Sequence, residues 1–264
     1  MDVFENMNHY YKNYDEDGRL LPKHGQVEFL TTMRYIQKYL LPGKRVLEIG
    51  AGTGIYSHAI GRLGFEVDAV ELIQHNIDIF KSKISEDESI TIHQGNATDL
   101  SFIDSNRYDI SLLLGPMYHL FTTEDKIQAL SEALRVTKTG GILFVSYCIS
   151  DASIICYGFK GGNVSNLIER GLLDPETFKT HSNPSDIFDL ARKEDIDELM
   201  ENFNATRLHY VATDLATNYM RESVNTMDDE IFSIYLKYHF SICERPDMVG
   251  ATHHSLDIFK KNEG

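Results

Sequence analysis

The sequence has few cysteines, no long apolar run and a shortage of basic residues. Cys148, Cys156 and Cys243 form no CxxC pair and no disulfide framework, so we expect a reducing, cytoplasmic setting. No stretch approaches the roughly 18 uninterrupted apolar residues of a membrane-spanning helix. The N-terminal segment lacks a charged region followed by an apolar one. We therefore expect no signal peptide and no membrane partner.

The shortage of basic residues bears on the kind of partner. Lys and Arg number 25 against 40 Asp and Glu, which gives a formal net charge of −15. A nucleic-acid binder usually presents a basic patch to the phosphates, and no Lys/Arg cluster occurs here. We therefore expect no nucleic-acid partner, and a neutral or cationic small molecule suits this field better.

Strands and helices alternate through the middle of the chain. Short apolar or alternating runs predict strands at 45–49, 65–72, 89–95, 108–115 and 142–148. Segments of helical period lie between them at 56–63, 74–84 and 123–137, the last with Thr123 as its N-cap. This alternation predicts βαβ units and a parallel sheet with right-handed crossovers.

The flanking segments are less regular. A helix is predicted at 27–41, ended by Pro42-Gly43, whereas residues 1–25 are polar, Tyr-rich and without a core-facing period. Strands at 207–214 and 253–261 enclose a helix at 228–244. That helix is predicted to place five apolar side chains on one face: Ile231, Ile234, Tyr235, Tyr238 and Ile242.

A glycine-rich turn follows the first strand in the segment VLEIGAGTG, residues 46–54. Its E-x-G-x-G-x-G pattern is formed by Glu48, Gly50, Gly52 and Gly54. A P-loop requires GxxxxGK[ST], which is missing, and Ile55 and Ser57 stand where a dinucleotide turn needs its third glycine. The turn therefore predicts close backbone approach to a ligand at a helix N-terminus, without a pyrophosphate.

This segment resembles the first motif of class I S-adenosylmethionine-dependent methyltransferases, and further similarities follow in order. Glu71 ends the second strand, where the family's acid binds both ribose hydroxyls. The segment GNATDL at 95–100 is similar to the third-strand turn, with Asn96 in place of the adenine-binding aspartate and Asp99 as the neighbouring alternative. Segments 112–120 and 135–147 resemble the fourth strand and the turn into the fifth.

The resemblance implies an α/β fold: a doubly wound, mostly parallel seven-stranded sheet with helical cap insertions and a reversed last strand. It implies S-adenosyl-L-methionine as cofactor and S-adenosyl-L-homocysteine as product. The implied cofactor-binding residues are Glu48, Gly50, Gly52, Gly54, Glu71, Leu72, Asn96, Ala97 and Gly115.

The resemblance also places the candidate catalytic residues. Tyr118 and His119 follow strand four, and His119 titrates near neutral pH, so it can act as a base or position the acceptor. Six further residues are candidates for the substrate site or lid: Tyr11, Tyr14, Arg19, His24, Tyr235 and His239. The pair His253-His254 has no third ligand at a matching spacing, so we expect no metal.

We interpret the chain as one methyltransferase domain, 1–264. Its parts are an N-terminal lid and helix at 1–39, a donor-binding core at 40–150, a cap insertion at 151–205 and the last two strands with their intervening helix at 206–264. The predicted function is methyl transfer to an O, N or S atom of a small molecule by a monomer or homodimer.

Other functions remain open at this point. One is a non-catalytic sensor or scaffold that binds S-adenosylmethionine. Another is an RNA or protein methyltransferase, although Gly115-Pro116-Met117-Tyr118 lacks the [DN]-P-P-[YF] of the amino-methylating enzymes. A third is a nucleotide-linked oxidoreductase, which the glycine spacing disfavours.

Overall fold

A seven-stranded sheet organises the computed structural model, which describes residues 3–264. The strands are β1 (Arg45–Ile49), β2 (Glu66–Glu71), β3 (Ile90–Gln94), β4 (Tyr108–Leu113), β5 (Thr137–Cys148), β6 (Ala205–Ala212) and β7 (His254–Lys261). Their order is β3-β2-β1-β4-β5-β7-β6. Strands β1 to β5 are parallel, and β7 is antiparallel to β5 and β6. The predicted sheet with its reversed last strand is confirmed.

Helices cover the sheet and extend beyond it. The α-helices are α1 (Val3–Asn13), α2 (Lys23–Gln37), α3 (Ile55–Arg62), α4 (Gln74–Ser82), α5 (Thr123–Val136), α6 (Ser150–Ser153), α7 (Val164–Glu169), α8 (Lys193–Met200), α9 (Arg221–Asn225) and α10 (Asp229–Ile242). A π-helix spans Ile154–Lys160, and 3₁₀ helices span Pro116–His119, Leu215–Met220 and Val249–Ala251. Met1 and Asp2, part of the predicted lid, lie outside the described residues.

The central strands are apolar on both faces, and this dictates where the core lies. In β1, Leu47 and Ile49 belong to the core on one face of the sheet, and Val46 belongs to the core on the other. A parallel strand packed by helices on both sides needs such a continuous apolar run. The arrangement directs the carboxyl ends of β1, β2 and β4 to one edge, where the glycine-rich turn lies.

Several predicted boundaries are corrected by the structure. The helix predicted at 27–41 begins at Lys23 and ends at Gln37. The N-cap of α5 is Thr122 rather than Thr123, because the Thr122 side chain accepts a hydrogen bond from the backbone N–H of Asp125. Helix α1 lies where no regular element was predicted. Its apolar residues Val3, Phe4, Met7 and Tyr11 do recur at helical spacing, but they line a cavity rather than a closed core, so none of the helix is buried.

The predicted apolar face of α10 is wrong. Ile231, Ile234 and Tyr238 are each about half exposed, whereas Phe232 and His239 are buried. Phe232 packs on Val27 of α2, and this contact sets the rotation of the helix. The helix carries apolar side chains around most of its circumference, so its sequence alone does not define the buried face.

Within residues 3–264, none of the helices has both the length and the apolar character that crossing a bilayer requires.

Candidate functional site

The glycine-rich turn links β1 to α3 through three residues of positive φ. Gly50, Gly52 and Gly54 have φ values of 74°, 56° and 88°. A Cβ on Gly50 would lie 2.5 Å from Cδ of Pro116, and one on Gly54 would lie 2.4 Å from the Phe80 ring. These two glycines therefore permit close internal packing, which an added side chain would disrupt.

Gly52 differs from the other two glycines of the turn. A Cβ at Gly52 would meet only Cγ of Glu16, at 3.8 Å, and would otherwise point into open space. That space is a cavity of about 540 Å³ at the carboxyl edge of the sheet, which we call the first cavity. Its lining contains seven of the predicted cofactor-binding residues: Gly50, Gly52, Glu71, Leu72, Asn96, Ala97 and Gly115.

Glu71 lies at the end of β2 with its carboxylate held by backbone donors. Its Oε2 accepts a hydrogen bond from Gly52 N at 2.8 Å, and its Oε1 accepts one from Ile73 N at 2.8 Å. Burial raises the pKa of this carboxyl, although these hydrogen bonds lower it in part. Oε1 also accepts a longer hydrogen bond from Nδ2 of Asn76, at 3.4 Å. Oε2 keeps a second lone pair, so the group can still accept a hydrogen bond from a ligand hydroxyl.

The structure places Glu48 behind the turn rather than on the first cavity. Its Oε2 accepts a hydrogen bond from Ser57 N at 2.9 Å and another from the Ser57 hydroxyl. Burial raises the pKa of Glu48 to about 8. The predicted ligand contact of Glu48 is therefore corrected, because its carboxyl fixes the first turn of α3. Gly54 also packs behind the turn, against Phe80.

Asn96 and Asp99 were alternatives for one role, and the fold separates them. Asn96 lines the first cavity, and its Oδ1 accepts a hydrogen bond from Thr98 N at 3.1 Å. The carboxylate of Asp99 instead accepts one from Ser101 N at 3.0 Å, away from the cavity. Only the amide is therefore in place to face a ligand there.

Tyr118 and His119 lie in the short 3₁₀ helix after β4, and both line the first cavity. The Tyr118 hydroxyl donates to Leu114 O at 3.0 Å. His119 Nδ1 lies 2.8 Å from Ile187 O, and its Nε2 lies 2.7 Å from the Tyr11 hydroxyl. Because a carbonyl oxygen can only accept, Nδ1 carries the proton and Nε2 accepts from Tyr11.

This arrangement corrects the expectation that His119 titrates near neutral pH. Burial lowers the pKa of His119 to about 4, so the ring is neutral across the physiological range. Both nitrogens are already engaged. The ring therefore ties α1 to the 3₁₀ helix and has no free lone pair for a substrate proton while Tyr11 stays in place.

A second cavity of about 480 Å³ adjoins the first. Four predicted lid or substrate residues line it: Tyr11, Tyr14, Arg19 and His24. Five residues line both cavities, and we call them the shared wall: Tyr11, Glu16, Arg19, Leu20 and Tyr118. A group bound in one cavity is thus in reach of a group bound in the other.

Two of the predicted substrate residues do not reach either cavity. The Tyr235 hydroxyl is hydrogen-bonded to Oγ1 of Thr217 at 2.8 Å. His239 is buried on the inner face of α10. Both are outside the linings of the two cavities, and α10 packs on α2 through Phe232 and Val27. Their prediction as substrate contacts is corrected.

Charged side chains pair with one another in the second cavity, and two of them, Glu28 and Asp214, were not singled out from the sequence. Arg19 donates from Nη1 and Nη2 to the two carboxylate oxygens of Glu28, at 2.9 and 3.0 Å. His254 Nδ1 lies 3.0 Å from Oδ2 of Asp214 and 3.4 Å from Oε2 of Glu28. Although burial alone would lower the pKa of His254, these carboxylates raise it well above its usual value.

The same residues bear on metal binding. Within residues 3–264, Glu28, Asp214 and His254 bring ligand atoms within 4.8 Å of one another, an association that spacing near His253-His254 does not reveal. Glu28 is already paired with Arg19, and Asp214 accepts from backbone N–H of His253 at 2.9 Å. The cluster is organised as ion pairs between protein groups.

These residues could have been found only in part from the sequence. Glu16 and Arg19 belong to the Tyr-rich segment already interpreted as a lid, and Glu28 follows on α2. Asp214 and His254 follow β6 and begin β7, so the strand assignment places them at one edge of the sheet. The pairing across the two regions depends on the tertiary fold.

The strand order, the reversed last strand and a cavity at the carboxyl ends of β1 and β2 together define the class I methyltransferase fold. Comparison with known proteins agrees. Residues 47–145 match the methyltransferase domain family. A ubiquinone biosynthesis O-methyltransferase from Pseudomonas savastanoi is 25% identical over 227 residues, covering 84% of this chain and 94% of that protein.

Solved structures show the same fold. A SAM-dependent methyltransferase from Methanosarcina mazei has a TM-score of 0.59 at 14% identity, covering 87% of this chain and 98% of that one. Phosphoethanolamine N-methyltransferase 1 from Haemonchus contortus, solved with phosphoethanolamine and S-adenosylhomocysteine, has a TM-score of 0.61 at 15% identity. It matches 99% of this chain and 49% of its own.

The chain has the class I S-adenosylmethionine-dependent methyltransferase fold and carries a methyltransferase domain at residues 47–145. It is an enzyme that uses S-adenosyl-L-methionine to methylate a small molecule.

Proposed function

We propose that the first cavity binds the methyl donor and that the second cavity binds the small-molecule acceptor. The observation that carries this proposal is the shared wall, which brings the two cavities together at Glu16 and Tyr118. Methyl transfer needs the reacting atoms of donor and acceptor in line and in contact. Two adjoining cavities with a common wall provide that arrangement.

The first cavity fits the donor in chemistry as well as in size. Gly52 leaves open space above a backbone of positive φ, so the main chain can approach a ligand closely. Glu71 would hold the two ribose hydroxyls, and Asn96 would accept from the adenine amino group. Leu72, Ala97 and Gly115 would supply the remaining contacts.

The reaction requires little covalent chemistry from the protein. S-adenosylmethionine supplies a methyl group that is already activated on a sulfonium. The residues of the shared wall therefore act mainly by aligning the acceptor and excluding water. A base is needed only where the acceptor arrives protonated.

The N-terminal segment is proposed to be a lid over both cavities. Tyr11 on α1 lines both, and its hydroxyl is the donor to His119. Tyr14, Arg19 and His24 line the second cavity from the same segment. In this proposal His119 positions the lid and, through it, the acceptor, while Tyr118 forms part of the acceptor wall.

The partner, the cellular location and the oligomeric state are part of the same proposal. The negative net charge and a second cavity of about 480 Å³ support a small-molecule acceptor and no nucleic-acid partner. We propose a cytoplasmic enzyme, monomeric or homodimeric, whose 264 residues form one methyltransferase domain. The proposed acceptor atom is O, N or S. The proteins that this chain resembles include an O-methyltransferase and an N-methyltransferase.

Two measurements test this function. Calorimetry with S-adenosylhomocysteine measures donor-site binding directly, and we expect the Glu71→Ala variant to lose it. Incubation of the enzyme with a metabolite extract and methyl-labelled donor should transfer label to a low-molecular-weight product. Donor binding without any transfer, in extracts of several origins, would contradict the enzymatic role.

A further inference from the structure

Away from the exposed rim of the second cavity, the carboxylates pair closely with basic groups, except for Glu16, which is only weakly paired. Arg19 is matched by Glu28 through two hydrogen bonds, and His254 is matched by Asp214. Among the described residues, the Glu16 carboxylate is hydrogen-bonded only to Nε of Arg19, at the longer distance of 3.4 Å. Since Arg19 is already neutralised by Glu28, Glu16 keeps most of its negative charge.

Glu16 also has an oxygen that is free to bind a ligand. Oε1 takes the contact with Arg19, and Oε2 has no hydrogen-bonding partner among residues 3–264. The side chain is about three-quarters covered, with a relative exposure of 24%. A carboxylate held in this way is poorly solvated, so it gains by meeting a cation.

The position of Glu16 is at the junction of the two cavities. It belongs to the shared wall, and its Cγ faces the space above Gly52. The proposed transfer of a methyl group takes place at this junction. Any group that Glu16 binds from the second cavity is therefore beside the reacting atoms.

Aromatic rings form the other walls of the second cavity. The Tyr10 and Tyr14 rings stack with their centroids 5.0 Å apart. Phe188 lies edge-on to Tyr10 at 5.8 Å and also contacts Tyr118 at 5.9 Å. The electron-rich faces of such rings attract cations and also accommodate an apolar or aromatic body. At the exposed rim, Asp15 accepts a hydrogen bond from Gly18 N at 2.9 Å, and Arg221 donates one to Oδ1 of Asn218 at 2.6 Å.

We infer that the acceptor is a primary or secondary amine, bound as its ammonium form through Oε2 of Glu16. This inference rests on the proposed function, because it requires the acceptor to lie in the second cavity. Glu16 is then a catalytic residue that both holds the acceptor nitrogen and takes its proton. A carboxylate acceptor would instead place negative charge against Glu16, and a phenol, which is neutral at physiological pH, would lack the charge attraction that an ammonium gains there.

The acceptor amine loses a proton before it is methylated. The ammonium gives one proton to the Glu16 carboxylate, which leaves a neutral amine and a carboxylic acid. The nitrogen lone pair attacks the methyl carbon, and the C–S bond breaks with its electron pair going to sulfur. The product is a methylated ammonium and a neutral thioether. Burial raises the pKa of Glu16, which brings it closer to that of an ammonium and eases the first transfer.

Three probes of one shape test the inference: phenethylamine, 2-phenylethanol and 3-phenylpropionate. Each is titrated by calorimetry into the full-length enzyme saturated with S-adenosylhomocysteine. We expect the ammonium probe to bind at least about 10-fold more tightly than the alcohol or the carboxylate, and Glu16→Gln to remove that preference. Asp15→Asn is the matched control, since its carboxylate lies on the rim of the same cavity.

The outcomes separate this inference from the proposed function. It is overturned if the ammonium probe binds no more tightly than the other two, including the case in which none of them binds. It is also overturned if Asp15→Asn removes the preference as fully as Glu16→Gln. Titration of S-adenosylhomocysteine in the same experiment reports on the first cavity alone. If S-adenosylhomocysteine does not bind to the wild-type enzyme in that titration, the proposed function is overturned instead.

Discussion

The first cavity takes its walls from adjacent parallel strands, whereas the second takes its walls from segments far apart in the chain. Gly52, Glu71 and Asn96 each lie at the end of a strand in the parallel half of the sheet or within three residues of it. In the second cavity, Arg19 comes from the N-terminal segment and His254 from the antiparallel strand β7.

This difference in construction matches a difference in bonding. Around the first cavity, backbone N–H groups of Gly52 and Ile73 hold the key carboxylate, so its geometry is set by the sheet edge. Around the second, the ordering contacts are side-chain pairs such as Arg19 with Glu28. Mutation replaces side chains but leaves the hydrogen-bonding groups of the backbone in place. The first cavity can therefore keep one donor while the second adapts to different acceptors.

The largest effect is expected at the turn of the first cavity. Gly52→Val places a β-branched side chain in the space proposed for the donor and at a φ of 56°, so donor binding should be abolished. Calorimetry with S-adenosylhomocysteine measures this directly.

Gly64→Val provides the control for backbone strain. Gly64 has a φ of 84° with no heavy atom within 4 Å of an added Cβ, and it ends α3 away from the cavity. We expect both variants to lose stability to a similar extent and only Gly52→Val to lose the donor. Normal affinity in Gly52→Val would show that the turn does not hold the donor.

A somewhat smaller loss is expected at the end of β2. Glu71→Ala removes two charge-assisted hydrogen bonds to the ribose, each worth roughly 1.5–3 kcal/mol, so donor affinity should fall at least about 100-fold. The buried backbone donors of Gly52 and Ile73 also lose their acceptor, and the melting temperature should fall as well. Unchanged affinity by calorimetry would remove Glu71 from the ribose site.

The lid contact should show an intermediate effect that belongs to the second cavity. Tyr11→Phe deletes the hydroxyl that donates to His119 at 2.7 Å, and one such hydrogen bond is worth roughly 0.5–1.5 kcal/mol. We expect the acceptor Michaelis constant to rise about 3- to 10-fold with little change in maximal rate. Hydrogen exchange in α1 should become faster in the complex with S-adenosylhomocysteine.

His119→Ala separates positioning from base catalysis. If His119 only holds the lid, this variant should match Tyr11→Phe in both kinetic constants. A fall in maximal rate of roughly 10²–10⁴-fold with an unchanged Michaelis constant would instead assign proton transfer to the imidazole. Wild-type kinetics would place the residue outside the functional site.

The two cavities also differ in how far the sequence predicts them. The bounds of β1 were predicted to the residue, because a buried parallel strand is a continuous apolar run between turn residues. The turn and the ends of β2 and β3 then follow from the strand assignment. Glu48 was predicted to contact the ligand, because a motif identifies residue types but not the direction of their side chains. In the structure its carboxyl group accepts a hydrogen bond from Ser57 N.

The second cavity depends on contacts that local patterns do not carry. Glu28, Asp214 and His254 meet only after the sheet has formed, and no spacing in the sequence joins them. Helix α10 has apolar residues on several sides. Its apolar period predicted that Ile234 is buried, whereas the structure buries Phe232 and leaves Ile234 more than half exposed. The roles of individual residues in either cavity stay predictions until the variants are measured.

The smallest effect on binding is expected at Glu48, because its carboxyl lies behind the turn and not on the first cavity. Glu48→Gln keeps an oxygen that can accept from Ser57 N, so donor affinity should change less than about 3-fold. The effect should appear in stability instead. Burial raises the pKa of Glu48 from 4.5 to about 8, so the folded state favours the protonated acid.

The sign of the pH dependence follows from this raised pKa. Between pH 4.5 and 8 the folded protein binds the Glu48 proton more tightly than the unfolded chain does, so its contribution is complete below pH 4.5 and declines as the pH rises toward 8. The melting temperature of the wild type should therefore fall relative to that of Glu48→Gln between pH 5 and 8. If the melting temperatures of the wild type and of Glu48→Gln instead changed in parallel with pH, Glu48 would be ionised in the folded protein. A large loss of donor affinity in Glu48→Gln would show that Glu48 belongs to the binding site.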